Sequence, residues 1–158
     1  MTEPAVKISH PPDAFLRTVN KALRPLLRTP LAGPARKHLM VVSFNGRKSG
    51  RRYEIPVSAH RIDGDLYALA SAPWTKNFRG GHTADILHDG KTTAMLGQIV
   101  EDRARVADLY HRCADAYGPK RAQRMMGLGF RDNRTPTVEE FAEAIDREGM
   151  VAIRFTRA

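Results

Sequence analysis

The chain is built of short runs with a two-residue hydrophobic period in its middle and runs with a helical period towards its ends. His38–Phe44 is nearly all apolar, which predicts a strand covered on both faces. Tyr53–His60 alternates, with Tyr53, Ile55, Val57 and Ala59 on one face and Glu54, Pro56, Ser58 and His60 on the other. Ile62-Asp63-Gly64-Asp65 is a two-residue hairpin signal that leads into a strand over Leu66–Ala70. Two further strands, Ala84–His88 and Thr92–Glu101, are joined by Asp89-Gly90, and Met150–Phe155 closes the chain as a last strand. Hairpin links make neighbours antiparallel, and closing such a sheet on itself removes its edges. The expectation is therefore a small antiparallel α+β barrel of about six strands, with an N-terminal helix and helices inserted before the last strand.

The helical runs have their own punctuation. Asp13 is an N-cap for a helix to about Arg28, with Phe15, Leu16, Val19, Leu23, Leu26 and Leu27 on one face and Arg17, Lys21, Arg24 and Arg28 on the other. Such a helix either packs on its own domain or lies on an anionic membrane. Residues 1–12 read as a flexible lead-in and 29–37 as a connector, so the chain divides into an extension over 1–37 and a barrel over 38–158. Between strands, Ser71–Gly81 predicts a short helix, with Ser71 as cap, Pro73 in the first turn and Gly80-Gly81 as the stop. From Asp102 the period turns helical, carrying Val106, Leu109, Tyr110, Cys113 and Tyr117 along one face until Gly118-Pro119 breaks it. The Met125–Phe130 stretch reads either as core or as a pocket lid. Thr137 caps a helix over Val138–Arg147, with Glu140 completing a capping box.

Composition changes the picture at one point. For 158 residues, a balance of 26 Lys and Arg against 17 Asp and Glu leaves a net charge of +9, which calls for an anionic partner. The 42% hydrophobic and 27% charged content is that of a soluble globular domain. The single cysteine allows no internal disulfide and fits a reducing compartment; together with a polar start unlike a signal peptide, it gives a cytoplasmic expectation. The basic residues are not interleaved with aromatics in a nucleic-acid-binding motif.

The charge gathers in Asn45-Gly46-Arg47-Lys48-Ser49-Gly50-Arg51-Arg52, between the first two barrel strands. Two glycines allow backbone amides to converge, Arg47 and Lys48 add cations, and Ser49 adds a hydroxyl, a combination suited to phosphate. An ordinary exposed basic hairpin turn is the competing interpretation. Catalytic side chains are otherwise scarce. The six histidines lack metal-ligand spacing, no Gly-x-Ser-x-Gly elbow occurs, and Cys113 falls on an apolar helical face. If the chain is an enzyme, a bound cofactor carries the chemistry.

Taken in order, Gly46-Arg47-Lys48-Ser49-Gly50, Pro56, Ala70-Ser71 and Trp74-x-x-Asn77-Phe78-Arg79 resemble the deazaflavin-dependent nitroreductase family. These are split β-barrel oxidoreductases related to the flavin mononucleotide (FMN)-binding split-barrel proteins. The resemblance spans roughly residues 38–101 and implies coenzyme F-420, an 8-hydroxy-5-deazaflavin with an anionic phosphodiester and oligoglutamate tail. It implies that Arg47, Lys48, Ser49 and Gly50 hold the phosphate, Pro56 borders the cofactor, and Ala70 and Ser71 contact the deazaflavin. Trp74 and Asn77 would fix ring and tail, with Lys76 or Arg79 as the further cation. The implied activity is hydride transfer to a small electrophile such as a quinone, enone or nitro-compound. An FMN-dependent oxidoreductase and a non-enzymatic carrier or binder of the cofactor or a related tetrapyrrole stay open. So do a homodimer and a membrane contact through residues 13–28. Trp74 is either a plug for the barrel mouth or a wall of the cofactor slot, and Tyr110 and Tyr117 stand either in the core or on the substrate side.

Overall fold

The structure, a computed structural model, describes residues 3–9 and 35–158. The helix expected over 13–28 lies outside the described residues. A short strand β1 (Val6–Ile8) is followed by one helical turn, α1 (Ala35–His38), and strands β2 (Leu39–Asn45), β3 (Arg52–Ser58), β4 (His60–Ile62) and β5 (Asp65–Ala70). A 3-10 helix (Pro73–Phe78) separates these from β6 (His82–His88) and β7 (Lys91–Ile99). Helices α2 (Arg103–Tyr117) and α3 (Pro119–Met126), strand β8 (Leu128–Phe130), helix α4 (Val138–Glu148) and strand β9 (Val151–Arg157) complete the chain.

The main sheet is wholly antiparallel and has seven strands, in the order β3-β2-β6-β7-β9-β5-β4, rather than the expected six. The extra strand comes from a break at Ala59. β3 and β4 are separated by that one residue, yet they occupy opposite edges of the sheet. The sheet therefore curls into a half-barrel, and Ala59 is its corner, its N–H donating to the His38 carbonyl at 2.8 Å. The sequence alternation runs unbroken through this corner, so its period alone does not reveal it.

Inside the curl, Met40, Val42 and Phe44 of β2 meet Leu66, Ala68, Ala84, Ile86, Ile153 and Phe155, all buried. Tyr53, Ile55 and Val57 of β3 pack on this cluster, as their alternation predicts. A second core lies where the helices cover the outer face of β4, β5 and β9. There Tyr67 and Ala152 meet Leu109, Tyr110, Phe141 and Ala144. The two-stranded sheet of β1 and β8 belongs to this second core, with Val6 fully buried. Residues 6–8 are thus a paired strand and not a flexible lead-in; pairing with a partner so distant in sequence leaves no local signal.

Local chemistry explains the element ends. Asp63 and Gly64, and again Asp89 and Gly90, have positive φ at both central hairpin positions, as type I′ turns require. Asp102 caps α2 by accepting from the Ala104 N–H at 3.0 Å. Thr137 and Glu140 form the reciprocal capping box that starts α4. The cap of the 3-10 helix is Ala72 rather than Ser71, with Pro73 in the first turn and no side-chain cap. Among the described residues, no helix is long and apolar enough to cross a membrane.

Candidate functional site

Two segments predicted to act together meet at one end of the half-barrel: the β2–β3 turn and the 3-10 helix. The Arg47 N–H donates to Asn77 Oδ1 at 3.0 Å, and Asn77 Nδ2 donates to the Trp74 carbonyl at 2.8 Å. Arg47 also donates through its guanidinium to the Arg79 carbonyl at 2.7 Å and to the Gly81 carbonyl. At the base of the turn, His82 places a ring nitrogen 2.7 Å from the Asn45 carbonyl, and its ring meets Phe44 and Phe78 edge-on. These contacts fix the turn on the helix. Arg47 and Asn77 thereby act as positioning residues, and His82 joins them.

The turn itself is tight. A Cβ on Gly46 would come within 2.8 Å of the Tyr53 ring, and Gly50 has a φ of +70°. The expected convergence of free amides is largely absent. The N–H of Gly46 donates to the Arg51 carbonyl, that of Gly50 to the Gly46 carbonyl, and that of Arg51 to Ser49 Oγ, while that of Arg47 goes to Asn77. Anion affinity here must come chiefly from side chains.

Those side chains stand ready. Lys48, Arg51, Lys76 and Arg79 are exposed and, among the described residues, have no carboxylate partner. Neighbouring arginines contrast with them: Arg52 is held by Asp85 at 2.7 Å, and Arg103 by Asp146 through Nε at 2.7 Å. Unpaired positive charge is thus shared by the turn and the helix bonded to it.

Ser71, Lys76 and Arg79 also line a cleft of about 480 Å³ whose walls include Ile99, Val106 and Val151. Ala70 pairs with Val151 in the adjoining strands. The cleft and the turn are joined through Lys76 on the 3-10 helix and Arg79, the residue that follows it. Trp74 is half-buried beside them, its ring centroid 6.1 Å from that of Phe44 and 6.0 Å, at right angles, from that of Phe78. It closes the aromatic end of the barrel core while keeping an exposed portion.

Pro56 is not brought to this place. It pairs with Val41, whose side chain belongs to the outer cluster with Leu87, so it lies on the face opposite Tyr53, Ile55 and Val57. Nor do the tyrosines reach the cleft's chemistry. Tyr110 is buried, donates its hydroxyl to the Val151 carbonyl at 2.8 Å, and has its pKa raised by burial. The Tyr117 hydroxyl lies 3.0 Å from His60 Nδ1. Cys113 Sγ lies 3.3 Å from the same nitrogen, and burial pushes its pKa up to about 12, the opposite of what a nucleophile needs. His60 is brought down to about 4, by burial first and by His38 second. This neutral cluster ties β4 to α2 and is structural.

No family model matches the chain, and no curated protein matches it. A solved structure described as a domain-swapped dimer aligns with 92% of this chain and all of its own at a TM-score of 0.50 and 13% identity, which shows a shared fold. Two looser likenesses are a conserved hypothetical protein from Mycobacterium tuberculosis and the FAD and heme binding protein from Mycobacterium smegmatis. The first has 15% identity and a TM-score of 0.45 over 99% of this chain and 86% of its own. The second has 15% identity and a TM-score of 0.46 over 98% of this chain and 69% of its own.

Proposed function

We propose that this chain is an oxidoreductase that binds the reduced deazaflavin coenzyme F-420 and uses it to reduce a small electrophile, such as a quinone, an enone or a nitro-compound. The supporting observation is the group of cations without carboxylate partners, Lys48, Arg51, Lys76 and Arg79, on two segments that Arg47 and Asn77 hold together. Several cations in one place suit a ligand with more than one negative charge, because each phosphate or carboxylate retains a charge-assisted partner on leaving water. The donor set fits the cofactor in sign and number, and the cleft beside it offers Ile99, Val106 and Val151 to a ring system. Of the carboxylates in its lining, Asp146 is held by Arg103 and Glu148 by Arg147, while Glu101 faces the same cleft.

Within this reading, Lys48 and the Ser49 hydroxyl hold the phosphodiester, Gly50 serves only by giving the turn its left-handed backbone, and Lys76 and Arg79 hold the acidic tail. Ala70, Ser71 and Trp74 border the ring. The bound cofactor supplies the hydride; the chain supplies position and charge. Arg47 and Asn77 keep the turn in register with the helix, and Ile99, Val106 and Val151 give the ring an apolar surface to rest on. Pro56, on the outer face, has no part in the arrangement. A cytoplasmic protein, a homodimer, a point of membrane contact in residues 13–28 and the division at residue 37 are proposals that accompany this one.

Single-turnover oxidation of protein-bound reduced cofactor by menadione, an enone and a nitroaromatic tests the activity. A rate that rises with acceptor concentration and exceeds that of free cofactor is expected. Cofactor that binds and stays reduced with all three acceptors would make the chain a carrier.

A further inference from the structure

The opposite end of the half-barrel carries a second cleft, of about 480 Å³, which shares no lining residue with the first. Its apolar lining includes Leu66, Ile86 and Phe155, which are nearly inaccessible, and the partly exposed Met95. The cleft also takes in Arg61, Lys91 and Arg157, all exposed and, among the described residues, without a carboxylate partner. Among the described residues, Arg61 donates only to the Gly64 carbonyl, at 3.1 Å. The one carboxylate in the lining, Asp65, is already neutralised by Arg154 Nε at 2.8 Å. His88 is tied to the Lys37 carbonyl at 2.8 Å.

The location separates this cleft from the cofactor reading. β2 runs from Met40, opposite His88, to Asn45 at the start of the basic turn, so the two clefts lie at opposite ends of the same strands. Three cations without a carboxylate partner among the described residues stand around this partly apolar lining and repel one another. Their sign excludes a cationic ligand, and the apolar lining disfavours a fully hydrated one such as inorganic phosphate. The volume lies within the range of small-molecule sites, roughly 300–1,000 Å³.

We propose that this cleft binds a small amphiphile that has an apolar body and a single carboxylate or phosphate head. The body rests on Leu66, Ile86, Met95 and Phe155, and the head is met by Lys91, Arg157 and Arg61. The site is independent of the deazaflavin assignment and stands or falls separately.

Calorimetric titration of the full chain with decanoate, decyl phosphate and decanol, each below its micellar concentration, tests it. Decanoate or decyl phosphate is expected to bind at least about tenfold more tightly than decanol, and the tighter of the two identifies the head. The double variant Lys91→Gln, Arg157→Gln should weaken the preferred anion by about tenfold or more at an unchanged thermal midpoint. Thr93→Trp, which fills the cleft without altering its charge, should weaken anion and alcohol alike. Lys48→Gln, at the other end, should change neither. The proposal is overturned if decanol binds as well as the anions, if no anion binds, or if the anion's affinity survives both the double variant and Thr93→Trp.

Discussion

The backbone N–H of Arg47 and the side-chain oxygen of Asn77 lie 3.0 Å apart across 30 positions of sequence. Together with the bonds from the Arg47 guanidinium to the Arg79 and Gly81 carbonyls, this hydrogen bond makes one unit of the basic turn and the 3-10 helix. Replacing Asn77 with alanine removes it together with the bond to the Trp74 carbonyl. The expected result is a loss of about 1–2 kcal/mol of stability, read by urea unfolding, and a weaker affinity for the anionic cofactor. An affinity that survives the loss of this staple would show that the turn needs no positioning.

Lys48 tests charge without geometry. It is exposed and holds no partner among the described residues. Lys48→Ala should leave the thermal midpoint within experimental scatter and weaken cofactor binding by roughly 1–3 kcal/mol. A lower midpoint with unchanged affinity would return the turn to an ordinary structural hairpin.

Gly97 marks a contact at the heart of the barrel. A Cβ placed there would lie 2.6 Å from Phe78 Cδ1 and 2.7 Å from Phe155 Cε1. Gly97→Ala should cost about 1–3 kcal/mol through overpacking, because both rings are buried and have little room to yield. Since Phe78 ends the 3-10 helix, the variant should also perturb the fluorescence of Trp74, the only tryptophan.

Much of this fold is written locally. The Asp-Gly hairpins, the Asp102 cap and the Thr137–Glu140 box are local signals, and each lies where its sequence places it. The corner at Ala59 is different: alternation is blind to a strand that leaves one edge of a sheet and joins the other. The pairing of Val6 with Phe130 likewise depends on chain segments far apart. At the candidate site, the types and order of Lys48, Lys76, Asn77 and Arg79 were legible. The use of the turn's amides within the fold and the placement of His82 were not, because each follows from register and packing; the outward face of Pro56 follows from the alternation that turns Tyr53, Ile55 and Val57 inward.

His60 provides a test by pH. Its folded pKa, about 4, lies below the ordinary value of 6.5, so between the two the unfolded chain binds the extra proton. Stability from this residue is therefore complete above about pH 6.5 and falls as pH drops towards 4, by a total on the order of 3 kcal/mol. Urea unfolding between pH 7 and pH 4.5 should show this decline, and His60→Leu should flatten it. An equal slope in both proteins would assign the pH dependence elsewhere.

The central claim is that the basic junction selects a cofactor with more negative charge than a single phosphate carries. Fluorescence titration of the purified protein with coenzyme F-420 and with FMN, side by side at the same ionic strength, tests it most directly. The account predicts tighter binding of the deazaflavin, with an advantage that shrinks as salt rises, because the added contacts are exposed charges. FMN binding as tightly as the deazaflavin, or more tightly, would contradict it.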